Sequence, residues 1–172
     1  MEEIITKRLI LRPFVSSDCD DLYASLTQLK DGVFEGFPTL IEDGKEQLMR
    51  RLASEEYYAV ERKEGGEVIG CVLLDSRPCL TKEATFAIRE DFRRKGYAKE
   101  ALDAIVEQAF RQGMHRIVAQ CDARNEAAWK LLDKAGFSRE AHYRQNVFSE
   151  KDGTGRPIWR DTYVYAKLAS DF

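Results

Sequence analysis

Three cations stand in a row at Arg93-Arg94-Lys95, followed by Gly96 and then by the small Ala98. Beyond them, Tyr97, Ala98, Ala101, Leu102, Ile105, Val106, Ala109 and Phe110 recur at helical spacing, with Lys99, Glu100, Asp103, Glu107 and Arg111 opposite. The cations therefore sit at a helix N-terminus, where unpaired N–H groups and a partial positive charge gather. A Ser, Thr, Asp or Asn cap followed by acids is expected there, and none stands before Gly96. Cations at that end are unfavourable unless an anion arrives, and Gly96 and Ala98 leave the backbone amides approachable. Such a turn can hold phosphate. A basic, solvated helix start is the plainer alternative. The sequence Gly-x-x-x-x-Gly-Lys-Ser/Thr of a P-loop is missing, as are the three glycines of the dinucleotide fingerprint.

The other chemistry-bearing residues are sparse. Cys19, Cys71, Cys79 and Cys121 form no Cys-x-x-Cys pair, and His115 and His142 are the only histidines, so no zinc spacing and no metal are expected. The cysteines read as scattered reduced thiols. Cys121 would need an activating base to act as a nucleophile, and His115 is poorly placed at the other end of the same short strand.

Positioning elements can be read along the chain. Strands are predicted over 4–14, 56–62, 67–75, 84–88, 117–121, 138–148 and 158–168. Helices are predicted over 16–30, 42–54, from Tyr97 to about Gln112-Gly113, and over 125–135. Ser17 and Asp20 suggest a capping box. Glu64-Gly65-Gly66 is a hairpin signal. Asn125 suits an N-cap, with Ala127, Ala128, Leu131, Leu132 and Ala135 as the inner stripe behind it. Lys134-Ala135-Gly136-Phe137 reads as a Schellman stop. Residues 31–40 and 151–157 read as loops, the second of them mobile. The chain has 172 residues, with 44% apolar and 33% charged, which suits one soluble globular domain over 1–172. No apolar run is long enough to span a membrane and no signal-peptide pattern opens the chain, so a cytoplasmic location is expected. Net charge is −3, which argues against a nucleic-acid partner.

Several blocks resemble the GNAT superfamily of N-acetyltransferases, and its RimJ/RimL-type branch in particular. Arg93-x-x-Gly96-x-Ala98 resembles the family's Arg/Gln-x-x-Gly-x-Gly/Ala signature. Residues 6–14, Thr6-Lys7-Arg8-Leu9-Ile10-Leu11-Arg12-Pro13-Phe14, resemble the opening TxRLxLRPF of that branch. Ile69-Gly70 lies in a strand like the family's IGxxxL, and Asn125-x-x-Ala128-x-x-Leu131 through Gly136-Phe137 resembles NxxA/SxxLxxKxGF. Asp161-x-x-x-Tyr165 matches the closing DxxxY. The resemblance covers nearly the whole chain and implies an α/β fold with a mixed sheet of about seven strands flanked by about four helices.

It also implies a cosubstrate, acetyl-CoA, and an amine acceptor, either a protein N-terminus or a small amine. By resemblance, the amides of Arg94, Lys95, Gly96, Tyr97, Ala98 and Lys99, with the charges of Arg93, Arg94 and Lys95, hold the pyrophosphate. A backbone N–H near Ile88 or Arg89 polarises the thioester carbonyl, Asn125 bonds the pantetheine arm and Lys134 reaches the nucleotide end. Glu83 is the candidate base, weighed against a plain surface ion pair, and Glu35 is a distant second. The family's usual thiolate-protonating Tyr and Ser fall at Leu132 and Ala128, so both donors are missing. That gap leaves room for a non-catalytic acyl-CoA-binding or regulatory module. Tyr143, Phe148, Trp159, Tyr163 and Tyr165 suit the core, the acceptor cleft or a homodimer contact.

Overall fold

A computed structural model describes residues 2–15, 17–18 and 57–171. The strands are β1 (Ile4–Ile5), β2 (Leu9–Arg12), β3 (Tyr57–Arg62), β4 (Val68–Arg77), β5 (Thr81–Ile88), β6 (Arg116–Asp122), β7 (Ser138–Lys151) and β8 (Pro157–Leu168). They form one sheet in the order β1-β2-β3-β4-β5-β6-β8-β7. Two helices are described, α1 (Tyr97–Arg111) and α2 (Glu126–Lys134). Every neighbouring pair is antiparallel except β5 and β6. That parallel pair needs a crossover, and α1 is the crossover.

The core lies between one sheet face and the two helices. Leu9, Leu11, Val60, Ile69 and Val72 from the first strands meet Leu102, Ile105 and Val106 of α1. Ile117, Ala119 and Tyr165 meet Leu132 and Ala135 of α2. The opposite face is buried as well, since Ala59 and Cys71 are fully enclosed. Burial on both faces explains why β4 runs Val68-Ile69-Gly70-Cys71-Val72-Leu73-Leu74 without alternation. On that second face Arg12 forks onto Asp18 at 2.7 and 2.9 Å and reaches Glu61 at 2.5 Å, so the buried Asp18 carboxylate is neutralised.

The fold is the expected α/β class with a mixed sheet, and several boundaries move. The single strand expected over 4–14 is two strands, which makes eight. Thr6 N–H donates to Leu9 O at 3.0 Å and Leu9 N–H donates to Thr6 Oγ1 at 2.9 Å, closing a turn between them. β4 and β5 run further than expected, because Cys79 (φ 62) and Leu80 (φ 54) make a tight left-handed turn with no glycine to signal it. Glu83 therefore lies inside β5 rather than before it. β7 and β8 also extend beyond their predicted ends, and the connection expected to be mobile is closed by Asp152, whose Oδ1 accepts from Thr154 and Arg156. Ala127 is exposed, so it leaves the inner stripe of α2. Tyr143, Phe148 and Trp159 are exposed rather than in the core. The helices expected over 16–30 and 42–54, the capping box, the loop over 31–40 and Glu35 lie outside the described residues.

Gly70 sits where β5 leaves no room for a side chain. A Cβ there would stand 2.1 Å from Ala87 O and 2.9 Å from Ile88 Cδ1. Backbone cannot yield as a side chain tip can, so Gly70→Ala is expected to cost about 2 kcal/mol or more. The melting temperature should fall by roughly 5 °C. Thermal unfolding followed by circular dichroism checks this, and an unchanged midpoint would show that β4 and β5 can separate freely.

Candidate active site

β5 and β6 touch only at Thr81, Lys82 and Glu83, which pair with Arg116, Ile117 and Val118. From Ala84 onward β5 leans wholly on β4, and from Ala119 onward β6 leans on β8. The sheet is therefore split by a wedge-shaped opening that widens toward the start of α1. Arg89 N–H donates to Ile69 O at 2.8 Å. Main-chain groups alternate in direction along an antiparallel ladder, so Ile88 N–H points the other way, into the opening. Of the two amides named from sequence, Arg89's is already occupied and Ile88's faces the wedge.

Next comes a 3-10 turn, Glu90–Phe92, and then the cationic stretch. Arg94 has φ 58 and Gly96 has φ 83. Arg93 before them is extended (φ −67, ψ 161), so the chain turns sharply through the two left-handed positions, the kind of backbone geometry in which neighbouring N–H groups can converge as an anion nest. Gly96 caps α1 with no side-chain hydrogen bond. Among the described residues, no acceptor meets the amides of Arg94, Lys95, Gly96, Tyr97, Ala98 and Lys99; the first N–H to find one is Glu100's, on Gly96 O at 3.1 Å. A non-glycine residue held at positive φ beside a row of free donors is the kind of strain that collects at ligand sites.

Most of the cationic side chains fold back onto the turn. Arg93 Nε donates to Ile88 O at 3.0 Å, Lys95 Nζ donates to Asp91 O at 2.8 Å and Arg89 pairs with Asp91 at 2.9 Å. Lys99 pairs with Asp103 along α1 at 2.5 Å. The nest is thus primarily a main-chain feature, with cations around its rim.

Across the wedge, β6 ends in a turn built by Asp122. Its carboxylate accepts from Arg124 N at 2.8 Å, Nε at 3.1 Å and Nη2 at 2.8 Å. Burial alone would raise the pKa of Asp122, but the Arg124 bonds outweigh it and hold the group below its ordinary value. The turn delivers Asn125, whose Oδ1 accepts from Ala128 N at 3.1 Å as the cap of α2. Phe137 N–H to Leu132 O at 3.0 Å and Gly136 N–H to Asp133 O at 3.1 Å close the helix as a Schellman motif. Leu132 is fully buried. Lys134 is exposed in the last turn.

Glu83 stands at the apex of the wedge. Its Oε2 accepts from Arg77 Nη2 at 2.9 Å and Nε at 3.1 Å, and its Oε1 accepts from Gln120 Nε2 at 3.1 Å. The Gln120 bond crosses from β5 to β6 just past their last paired residues. Sequence reasoning passed over Gln120, because a lone glutamine in a strand carries no spacing signal. It also assigned no role to Thr6, Arg8 or Glu100, which meet beside the nest. Burial pushes the Cys121 thiol up to about 11 and Cys71 up to about 12, so both stay protonated at neutral pH. A groove of about 570 Å³ lies on the far flank of α2, between Trp129 and Asp133 on the helix and Tyr163 and Tyr165 on β8, and no residue of the nest lines it. Among the described residues, no three His, Cys, Asp or Glu side chains gather as metal ligands, and no helix is long and apolar enough to cross a membrane.

The sequence and the fold have counterparts among other proteins. The family model for the acetyltransferase (GNAT) domain matches residues 8–138. The uncharacterized N-acetyltransferase YnaD of Bacillus subtilis is 26% identical, over 98% of each chain. The GNAT-family acetyltransferase structure from Bacillus anthracis superposes with a TM-score of 0.83 at 23% identity, covering 98% of this chain and 99% of that one. The ribosomal-protein-S5-alanine acetyltransferase of Vibrio fischeri superposes with a TM-score of 0.80 at 19% identity, covering 99% and 98%. The chain belongs to the GNAT family of acetyltransferases.

Proposed function

We propose that this protein is an acetyl-CoA-dependent N-acetyltransferase of the RimJ/RimL type, acting on a primary amine. One observation carries the reading: the amides of residues 94–99, which meet no acceptor among the described residues, stand at the mouth of a split sheet, where Ile88 N–H also turns away from β4. The opening TxRLxLRPF block and the likeness to a ribosomal-protein acetyltransferase favour a peptide N-terminal amine, with a small amine as the other acceptor.

The nest fits the pyrophosphate, because its donors are main-chain N–H groups and Arg93, Arg94 and Lys95 supply charge around them. Acetyl-CoA supplies the activated acetyl group. Asn125 lies across the wedge, where it would bond the pantetheine arm, and Lys134 would reach the nucleotide end. Ile88 N–H would donate to the thioester oxygen as negative charge grows there, a contact worth about 3 kcal/mol when pre-positioned. The acceptor amine must be neutral to attack, so its proton needs a carrier. Glu83 is the carboxylate at the apex, held in place by Arg77 and Gln120, and would take that proton through water. Leu132 and Ala128 cannot donate a proton, so the departing thiolate would be protonated by water. The same absence motivates the second reading, an acyl-CoA-binding module without turnover.

Titration calorimetry with acetyl-CoA, CoA and ATP comes first. Tight binding of the two CoA compounds with much weaker ATP is expected; no binding of any would remove the nest from this role. Gly96→Glu, which places an anion in the nest at a left-handed position, should abolish acetyl-CoA binding, and undiminished affinity in a variant that still folds would overturn the site assignment. Glu83→Gln should lower kcat roughly 100-fold with little change in KM for acetyl-CoA. An unchanged kcat would leave Glu83 as a structural partner of Arg77. Cys121→Ala should retain turnover, since no covalent acyl-enzyme is needed. Binding without turnover of any peptide or small amine would favour the module.

A further inference from the structure

We infer that Arg8, in the turn between β1 and β2, is a positioning residue that aims the anion nest. This rests on the reading of the nest as the acetyl-CoA pyrophosphate site. Arg8 reaches across to α1 by four contacts. Its own N–H donates to Glu100 Oε1 at 2.7 Å and its Nε donates to Glu100 Oε2 at 2.6 Å. Its Nη1 donates to Lys95 O at 2.9 Å, and its guanidinium sits 4.4 Å from the centre of the Tyr97 ring. Thr6 Oγ1 adds a bond to Glu100 Oε1 at 2.6 Å.

The Lys95 contact is the informative one. Lys95 O belongs to the peptide joining Lys95 to Gly96, between the two left-handed residues Arg94 and Gly96. The peptide is trans, so its C=O and N–H point in opposite directions. Drawing Lys95 O toward Arg8 turns Gly96 N–H away from Arg8, to the side where the proposed pyrophosphate would lie. The stack on Tyr97 and the fork on Glu100 hold the guanidinium rigidly enough to do this. Arg8 Nη2 also lies 3.3 Å from where a Cβ on Gly96 would stand, so the guanidinium packs close behind residue 96, whose φ of 83 by itself favours glycine.

Glu100 would otherwise be a liability. It is a carboxylate in the first turn of the helix whose start must accept phosphate. Burial alone would raise its pKa, but the Thr6 and Arg8 bonds outweigh that and keep it ionised below its ordinary value. Arg8 therefore has two separable effects, compensating Glu100 and orienting the Lys95–Gly96 peptide.

A double-mutant cycle with Arg8→Ala and Glu100→Gln separates them, read by acetyl-CoA titration and by steady-state kinetics. Arg8→Ala should weaken acetyl-CoA and CoA binding about tenfold and raise KM for acetyl-CoA alike, leaving kcat and the amine KM unchanged. Glu100→Gln on that background should leave the affinity weak, because the peptide remains unaimed. Full restoration in the double variant would overturn the inference, since Arg8 would then act by charge alone. Arg8→Lys keeps the cation but cannot serve Glu100 and Lys95 O together, so it too should lose affinity while its melting temperature stays close to that of the parent. Wild-type affinity in folded Arg8→Lys and Arg8→Ala would overturn this inference while leaving the function intact. Failure of the parent protein to bind acetyl-CoA would overturn both.

Discussion

Everything at this site depends on where the pairing of β5 with β6 stops. Three residues of parallel ladder hold the two strands together, and then each follows its other neighbour. A sheet that parts in its middle leaves main-chain donors facing nothing, normally a costly condition in a buried setting. Here it is confined to one wedge, with the amides of residues 94–99 at its mouth. α1 is the crossover that makes the parallel pair feasible, and the turn that enters it brings the amides of residues 94–99 to the wedge, so the topology that opens the wedge also furnishes the proposed anion site.

The chemistry proposed for this site would therefore be carried largely by backbone. The free amides of residues 94–99 and of Ile88 are directed by main-chain geometry, which side-chain substitution alters little. Side chains act as supports behind them. Arg93 occupies Ile88 O, Lys95 ties down Asp91 O, Asp122 with Arg124 sets the turn before Asn125, and Arg8 braces Lys95 and Glu100. Such a site needs no reactive side chain of its own. The buried thiols of Cys71 and Cys121 are held protonated and are poor nucleophiles, and Leu132 and Ala128 on α2 have no proton to donate. Catalysis by positioning and electrostatics, with protons passed through water, is consistent with that inventory.

Much of this was legible along the chain. Gly96 before a helical stripe, with no cap and three cations ahead of it, marked the start of α1. Asn125 announced the start of α2 and Gly136-Phe137 its end, and Glu64-Gly65-Gly66 marked its hairpin. Each signal is local, because capping, left-handed turns and helical periodicity are decided within a few residues. The turn at Pro78-Cys79-Leu80 is local too, yet it was missed, because cysteine and leucine rarely adopt positive φ and carry no turn signature.

What only the tertiary structure decided is direction and partnership. Whether Ile88 or Arg89 presents its N–H to the wedge follows from the register of β5 on β4, and a shift of one residue would exchange them. Arg8 and Glu100 lie 92 residues apart, and no spacing rule brings them together. Glu83 looked the same in the sequence whether it was a free base or a surface partner; the fold put Arg77 on one oxygen and Gln120 on the other. Sequence by itself determined the class of fold, the family and the uncapped start of α1 at Gly96, because these rest on short-range pattern. The aim of each donor was settled by strand register and by contacts between distant segments, which no local pattern encodes.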